Sequence, residues 1–66
     1  MLVSVNGEER PLEKSISIAD FLEQFGLNAK MVVVEHNRVI VSRDRYVEVM
    51  IDTGDELEIV QMMAGG

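Results

Sequence analysis

Cysteine and tryptophan are absent from this 66-residue chain, and proline, histidine and tyrosine occur once each. Without cysteine no disulfide can form, and one histidine cannot build a zinc site with cysteine partners. Basic residues are also scarce, six against twelve acidic ones, for a formal charge of −6. A phosphate backbone repels such a surface, which argues against nucleic acid as a partner. No apolar run approaches the roughly 20 residues of a membrane span. The start, Met1-Leu2-Val3-Ser4-Val5, has neither the basic segment nor the apolar stretch of a signal peptide. A cytoplasmic location is the expectation, and the absence of cysteine agrees with it.

What remains is an apolar chain, 47% hydrophobic and rich in Val, Ile and Leu. It is short enough for one domain, which buries only about 60% of the surface its unfolded form exposes. So small an interior leaves no room for a substrate cavity, and an enzyme is not expected. The acidic surface either suits a basic protein partner or serves solubility alone.

Met1, Val3 and Val5 alternate with Leu2, Ser4 and Asn6, the period of a strand buried on one face. Asn6-Gly7 is a strong hairpin signal, because both residues tolerate positive φ. A returning strand is expected over Arg10 to Glu13, at an edge, because Pro11 lacks an N–H. Ile18, Phe21, Leu22 and Phe25 fall at the spacing of one buried helical face. Ser17 can cap that helix with Asp20 three residues on, Ile16 and Phe21 can form its hydrophobic staple, and Gly26 suits its end. Met31 to Glu35 reads as a central strand, Asn37-Arg38 as a turn and Val39 to Val41 as a short strand. Charges at Arg43, Asp44 and Arg45 precede renewed alternation through Val47, Val49 and Ile51. Asp52 to Asp55 is a turn cluster, and the last strand runs through Leu57 and Ile59 toward Gln61, with Glu56 and Glu58 outward. If the first and last strands pair in parallel, the helix covers one face of a mixed sheet of four to five strands, an α+β arrangement.

The sequence ends in Gly65-Gly66. With glycine at roughly 7% of average sequence, a chance pair at that place is on the order of one chain in two hundred. A side-chain-free carboxylate on a flexible stalk can enter a narrow active site of another protein. Residues 1–61 are therefore expected to form the domain and 62–66 a functional tail, with Gly66 as the reacting group and Met62, Met63, Ala64 and Gly65 as the segment that a partner grips. Met62 serves equally well as the ragged end of the last strand. No catalytic residue and no metal site is expected in the chain. His36 reads as a surface or turn residue, and Asp52 and Asp55 as turn chemistry, because the spacing of a calcium loop is missing.

Val5-Asn6-Gly7-Glu8, the run from Val34 to Arg43 and Gly54-Asp55-Glu56-Leu57-Glu58-Ile59-Val60 followed by Gly65-Gly66 together resemble the ThiS-type sulfur carriers, which have the ubiquitin-like β-grasp fold. The resemblance covers essentially the whole chain. It departs at Met62-Met63, where an aromatic or Val-Gly approach is more usual, and at Ala64, where a third glycine is common. It implies that an adenylyltransferase similar to ubiquitin-activating enzymes uses ATP to adenylate Gly66. A persulfide donor then supplies sulfur for a thiocarboxylate, which a thiazole synthase consumes in thiamine biosynthesis. The chain itself binds no cofactor on this reading. Carriers for molybdopterin, tRNA thiolation or amino-acid biosynthesis share the same chemistry. A ubiquitin-like modifier joined through Gly66 to lysines, or a plain interaction module, are the alternatives of other classes.

Overall fold

The computed structural model describes residues 1–62. Strands β1 (Leu2–Val5) and β2 (Glu8–Pro11) form an antiparallel hairpin closed by Asn6 and Gly7, at φ 52° and 84°. This turn sets Val5 opposite Glu8 and Leu2 opposite Pro11. The returning strand thus begins and ends two residues earlier than the pattern placed it, because a two-residue turn leaves no slack before pairing starts. The short β3 (Ile16–Ser17) leads into α1 (Ile18–Gln24), where Ser17 Oγ accepts from the Asp20 N–H at 3.0 Å. Ile18, Phe21 and Leu22 are buried, whereas Phe25 is 40% exposed. The helix ends at Gln24, so Phe25 lies at its cap, stacked on Phe21 with centroids 4.4 Å apart and the Arg10 guanidinium 5.5 Å from its ring. Gly26 follows at φ 69°.

A 3₁₀ turn over Ala29–Met31 opens the second hairpin, β4 (Val32–His36) and β5 (Val39–Val41). Asn37 and Arg38 both take positive φ at its turn. Renewed alternation does not give a strand from Val47: Arg43–Arg45 form a second 3₁₀ turn, and Val47 is 74% exposed. Tyr46 takes the anchoring place instead, 3% exposed, with its carbonyl accepting from Ala19 N–H. Only β6 (Met50–Ile51) is extended there, and it pairs with β3 outside the main sheet. The final strand β7 (Glu56–Gln61) lies between the hairpins, parallel to β1 and antiparallel to β4, giving the order β2-β1-β7-β4-β5. Pro11 lies on the edge strand β2, where a missing donor is tolerated.

One face of this five-stranded sheet packs on α1. Val3, Val5, Val32, Val34 and Leu57 meet Ile18, Phe21 and Leu22, joined by Leu12, Ile16, Tyr46 and Ile51. This mixed sheet with one helix is the ubiquitin-like β-grasp arrangement. Among the described residues, no helix is long and apolar enough to cross a membrane.

Candidate functional site

Strand β7 leads toward the Gly-Gly end of the chain, so the site starts where that strand leaves the sheet. Its ladder with β4 runs from His36 opposite Leu57 to Val32 opposite Gln61. One further bond follows, from Met62 N–H to the Met31 carbonyl at 2.7 Å. Met62 therefore sits at the end of the ladder and is 41% exposed. Met63, Ala64, Gly65 and Gly66, named above as gripping segment and reacting group, lie outside the described residues.

The carbonyl that holds Met62 belongs to a small built loop. Asn28 caps it from below, its Oδ1 accepting from Lys30 N–H at 2.9 Å and its carbonyl from Met31 N–H at 2.9 Å. The Ala29 and Lys30 carbonyls, left without helical partners by so short a turn, are taken by one side chain. Arg43 Nε donates to Ala29 at 3.0 Å and its Nη2 to Lys30 at 3.2 Å. Sequence reasoning treated Arg43 as one charge in a turn cluster. Its role was hidden because its partners are backbone atoms thirteen and fourteen positions away.

Beside this exit lies the sheet face that no helix covers. Side chains alternate across a strand, so Val33, Glu35, Glu56, Glu58, Val60 and Ile40 project there, opposite the buried set. Val33 faces Val60, and Glu35 faces both Glu58 and Ile40. Ile40 and Val60 are 67% and 62% exposed. The surface is thus apolar in patches and acidic between them, with no basic residue at these positions.

At the far end of the sheet, His36 Nε2 lies 2.7 Å from Asp55 Oδ2, both half-buried. A carboxylate only accepts, so this nitrogen carries the hydrogen. Asp55 also accepts from Asp52 N–H at 2.8 Å and from Asn37 Nδ2 at 3.3 Å. Asn37 Oδ1 in turn accepts from Glu56 N–H at 2.9 Å. The network ties the β4–β5 turn to the loop that begins β7, so these residues do the work of turns. Burial pushes the Asp55 carboxyl up, but the bonds from Asp52, His36 and Asn37, with the His36 charge, outweigh it and hold the group below its ordinary value. Among the described residues, no cluster of His, Asp and Glu could hold a metal ion.

Known proteins place this geometry. A model of the ThiS family matches residues 3–66. The sulfur carrier protein ThiS of Bacillus subtilis is 35% identical over 66 residues, spanning 98% of this chain and 100% of its own length. A thiazole synthase of Paramagnetospirillum magneticum is 38% identical over all of this chain, which spans only 20% of that longer protein. The crystal structure of a thiamine biosynthesis protein (ThiS) from Geobacter metallireducens superposes with a TM-score of 0.87 at 26% identity, covering 100% of both chains. With the mixed five-stranded sheet, one α-helix among the described residues and a family match that reaches Gly66, the chain belongs to the ThiS family.

Proposed function

We propose that this protein is a sulfur carrier of thiamine biosynthesis whose Gly66 carboxylate is first adenylated and then converted to a thiocarboxylate. A carboxylate resists nucleophiles because its charge repels them and oxide is a poor leaving group. Attack of a Gly66 oxygen on the α-phosphorus of ATP breaks the bond to pyrophosphate and leaves an acyl adenylate. A persulfide on the donor protein attacks the carbonyl carbon, AMP departs, and an acyl disulfide joins donor to carrier. A thiol then attacks the donor's sulfur. The thiocarboxylate leaves, and the attacking thiol and the donor's sulfur end as a disulfide, which accounts for both electrons. The chain provides the acyl group and its delivery, and the adenylating enzyme and the donor provide the catalysis.

The observation that carries this reading is the family match through residue 66, on a sheet whose central strand leads into the Gly-Gly segment. Thiazole synthase as the acceptor has separate support. Two proteins of that name contain a segment similar to the whole of this chain as 20% of their length. A carrier and the enzyme that consumes its sulfur gain effective concentration from sharing one polypeptide. The acidic, partly apolar open face suits docking on a basic surface of the adenylating enzyme, since complementary charge speeds encounter.

The test is the intact mass after incubation with ATP, the adenylating enzyme of the same organism and a persulfide donor. The expected product is heavier by the difference between sulfur and oxygen, with the change localised to Gly66. An unchanged mass, with an enzyme shown to be active, overturns the reading.

A further inference from the structure

Ala29, Lys30 and Met31 present three successive carbonyls to the outside of their 3₁₀ turn. Two are held by the Arg43 guanidinium and the third by the Met62 N–H, at 2.7 Å. The guanidinium is a planar fork, so its two bonds fix both the position and the tilt of the Ala29–Lys30 segment. The Met31 carbonyl follows directly in the chain. Arg43 therefore reaches the tail through one peptide, from a different part of the sequence than either residue it steadies.

We infer that Arg43 is a positioning residue: by holding the 3₁₀ turn it fixes the Met31–Met62 bond, and so the place at which the chain leaves the sheet at Met62. Its effect on sulfur loading rests on the proposed function, whereas its effect on Met62 does not. Fixing the backbone of one residue is worth about five- to thirtyfold in an equilibrium at room temperature. A tail whose first residue is already fixed needs that much less ordering when it enters an active site. Lysine is an incomplete substitute, because a single ammonium cannot reproduce the fork. Asp44 is the acidic neighbour in sequence, and among the described residues it forms no ion pair with Arg43.

Amide hydrogen exchange by NMR tests the structural half, comparing the natural chain with Arg43→Met, which keeps an unbranched stem without the donors. Exchange at Met62 N–H is expected to rise about tenfold while Ile59 and Val34 stay protected. The rate constant kcat/KM for adenylation at Gly66 is expected to fall by a similar factor, with Arg43→Lys between the two. If Met62 exchange is unchanged, or if every amide of the domain speeds up together, Arg43 is not a positioning residue. Faster Met62 exchange with unchanged kcat/KM removes the functional half. Should Arg43→Met fail to fold, Arg43→Lys alone decides, because it must raise exchange at Met62 selectively. If the natural chain is not adenylated at all, the proposed function fails while the exchange result still stands.

Discussion

The side-chain amide of Asn6 pairs with both backbone groups of Ile59: its Oδ1 accepts from the N–H at 2.7 Å and its Nδ2 donates to the carbonyl at 3.1 Å. The backbone ladder between β1 and β7 registers only Ser4 with Glu56 and Val5 with Leu57. One turn side chain thus imitates a strand residue and extends the pairing toward the tail. Asn6 also holds φ at 52°, which asparagine tolerates better than most residues. Asn6→Ala loses two bonds and strains the turn, so urea unfolding should show a loss of about 2–3 kcal/mol. Asn6→Gly, free of the strain, should lose about 1 kcal/mol less.

Phe21 is fully buried between the sheet and the rest of α1. Phe21→Ala should remove about 3–5 kcal/mol, comparable to the whole stability of a small domain. Proton NMR at room temperature should show lost dispersion of the methyl resonances.

Arg38 sits at φ 70° with its side chain 87% exposed, and its one ion pair among the described residues, to Glu56, is 3.8 Å long. Left-handed backbone costs a non-glycine residue about 1–2 kcal/mol, more than the extra freedom that glycine adds to the unfolded chain, about 0.5–1 kcal/mol. Arg38→Gly should therefore raise the melting temperature by a few degrees, about 4–8 °C per kcal/mol, as calorimetry would show.

Asp55 has its carboxyl held below the ordinary value by the hydrogen bonds around it. Its folded form favours the charge, so its contribution is complete above the unfolded value near about 3.9. That contribution disappears as pH falls through the lower folded value. Asp55→Asn should be less stable than the natural chain near neutral pH, and the gap should narrow below about pH 4. Urea midpoints measured across that range give the comparison.

Glu35 and Glu58 stand directly opposite on the open sheet face. Like charges so placed disfavour the folded state by about 0.2–1 kcal/mol. Glu58→Lys should then stabilise the domain by roughly that amount and, on the proposed function, slow association with the adenylating enzyme. Urea unfolding of the free domain reads the first effect and stopped-flow association reads the second, and both should shrink at high salt because screening weakens each.

Elements carried by contiguous residues were legible in the sequence: the Asn6-Gly7 hairpin, the Ser17-capped helix, the Asn37-Arg38 turn and the parallel pairing of first and last strands. Phe25 misled because periodicity marks a face without saying where the helix stops. Val47 misled because alternation is blind to Tyr46, which claims the core position beside it. Asn6, Arg43 and Asp55 were read only as turn or charge residues. Their partners are backbone groups and side chains brought near by the sheet, and no local spacing encodes them.

The placement of β7 between two hairpins also has a mechanical side. β1 and β7 are parallel neighbours, so the beginning of the one and the end of the other lie at opposite ends of the strands. A pull applied to residues beyond Met62, against an anchor at the start of the chain, runs along the strands and loads the β1–β7 rungs together. It does not unzip them one at a time. The strand that leads into the Gly-Gly segment is thus also the one best braced against tension along it.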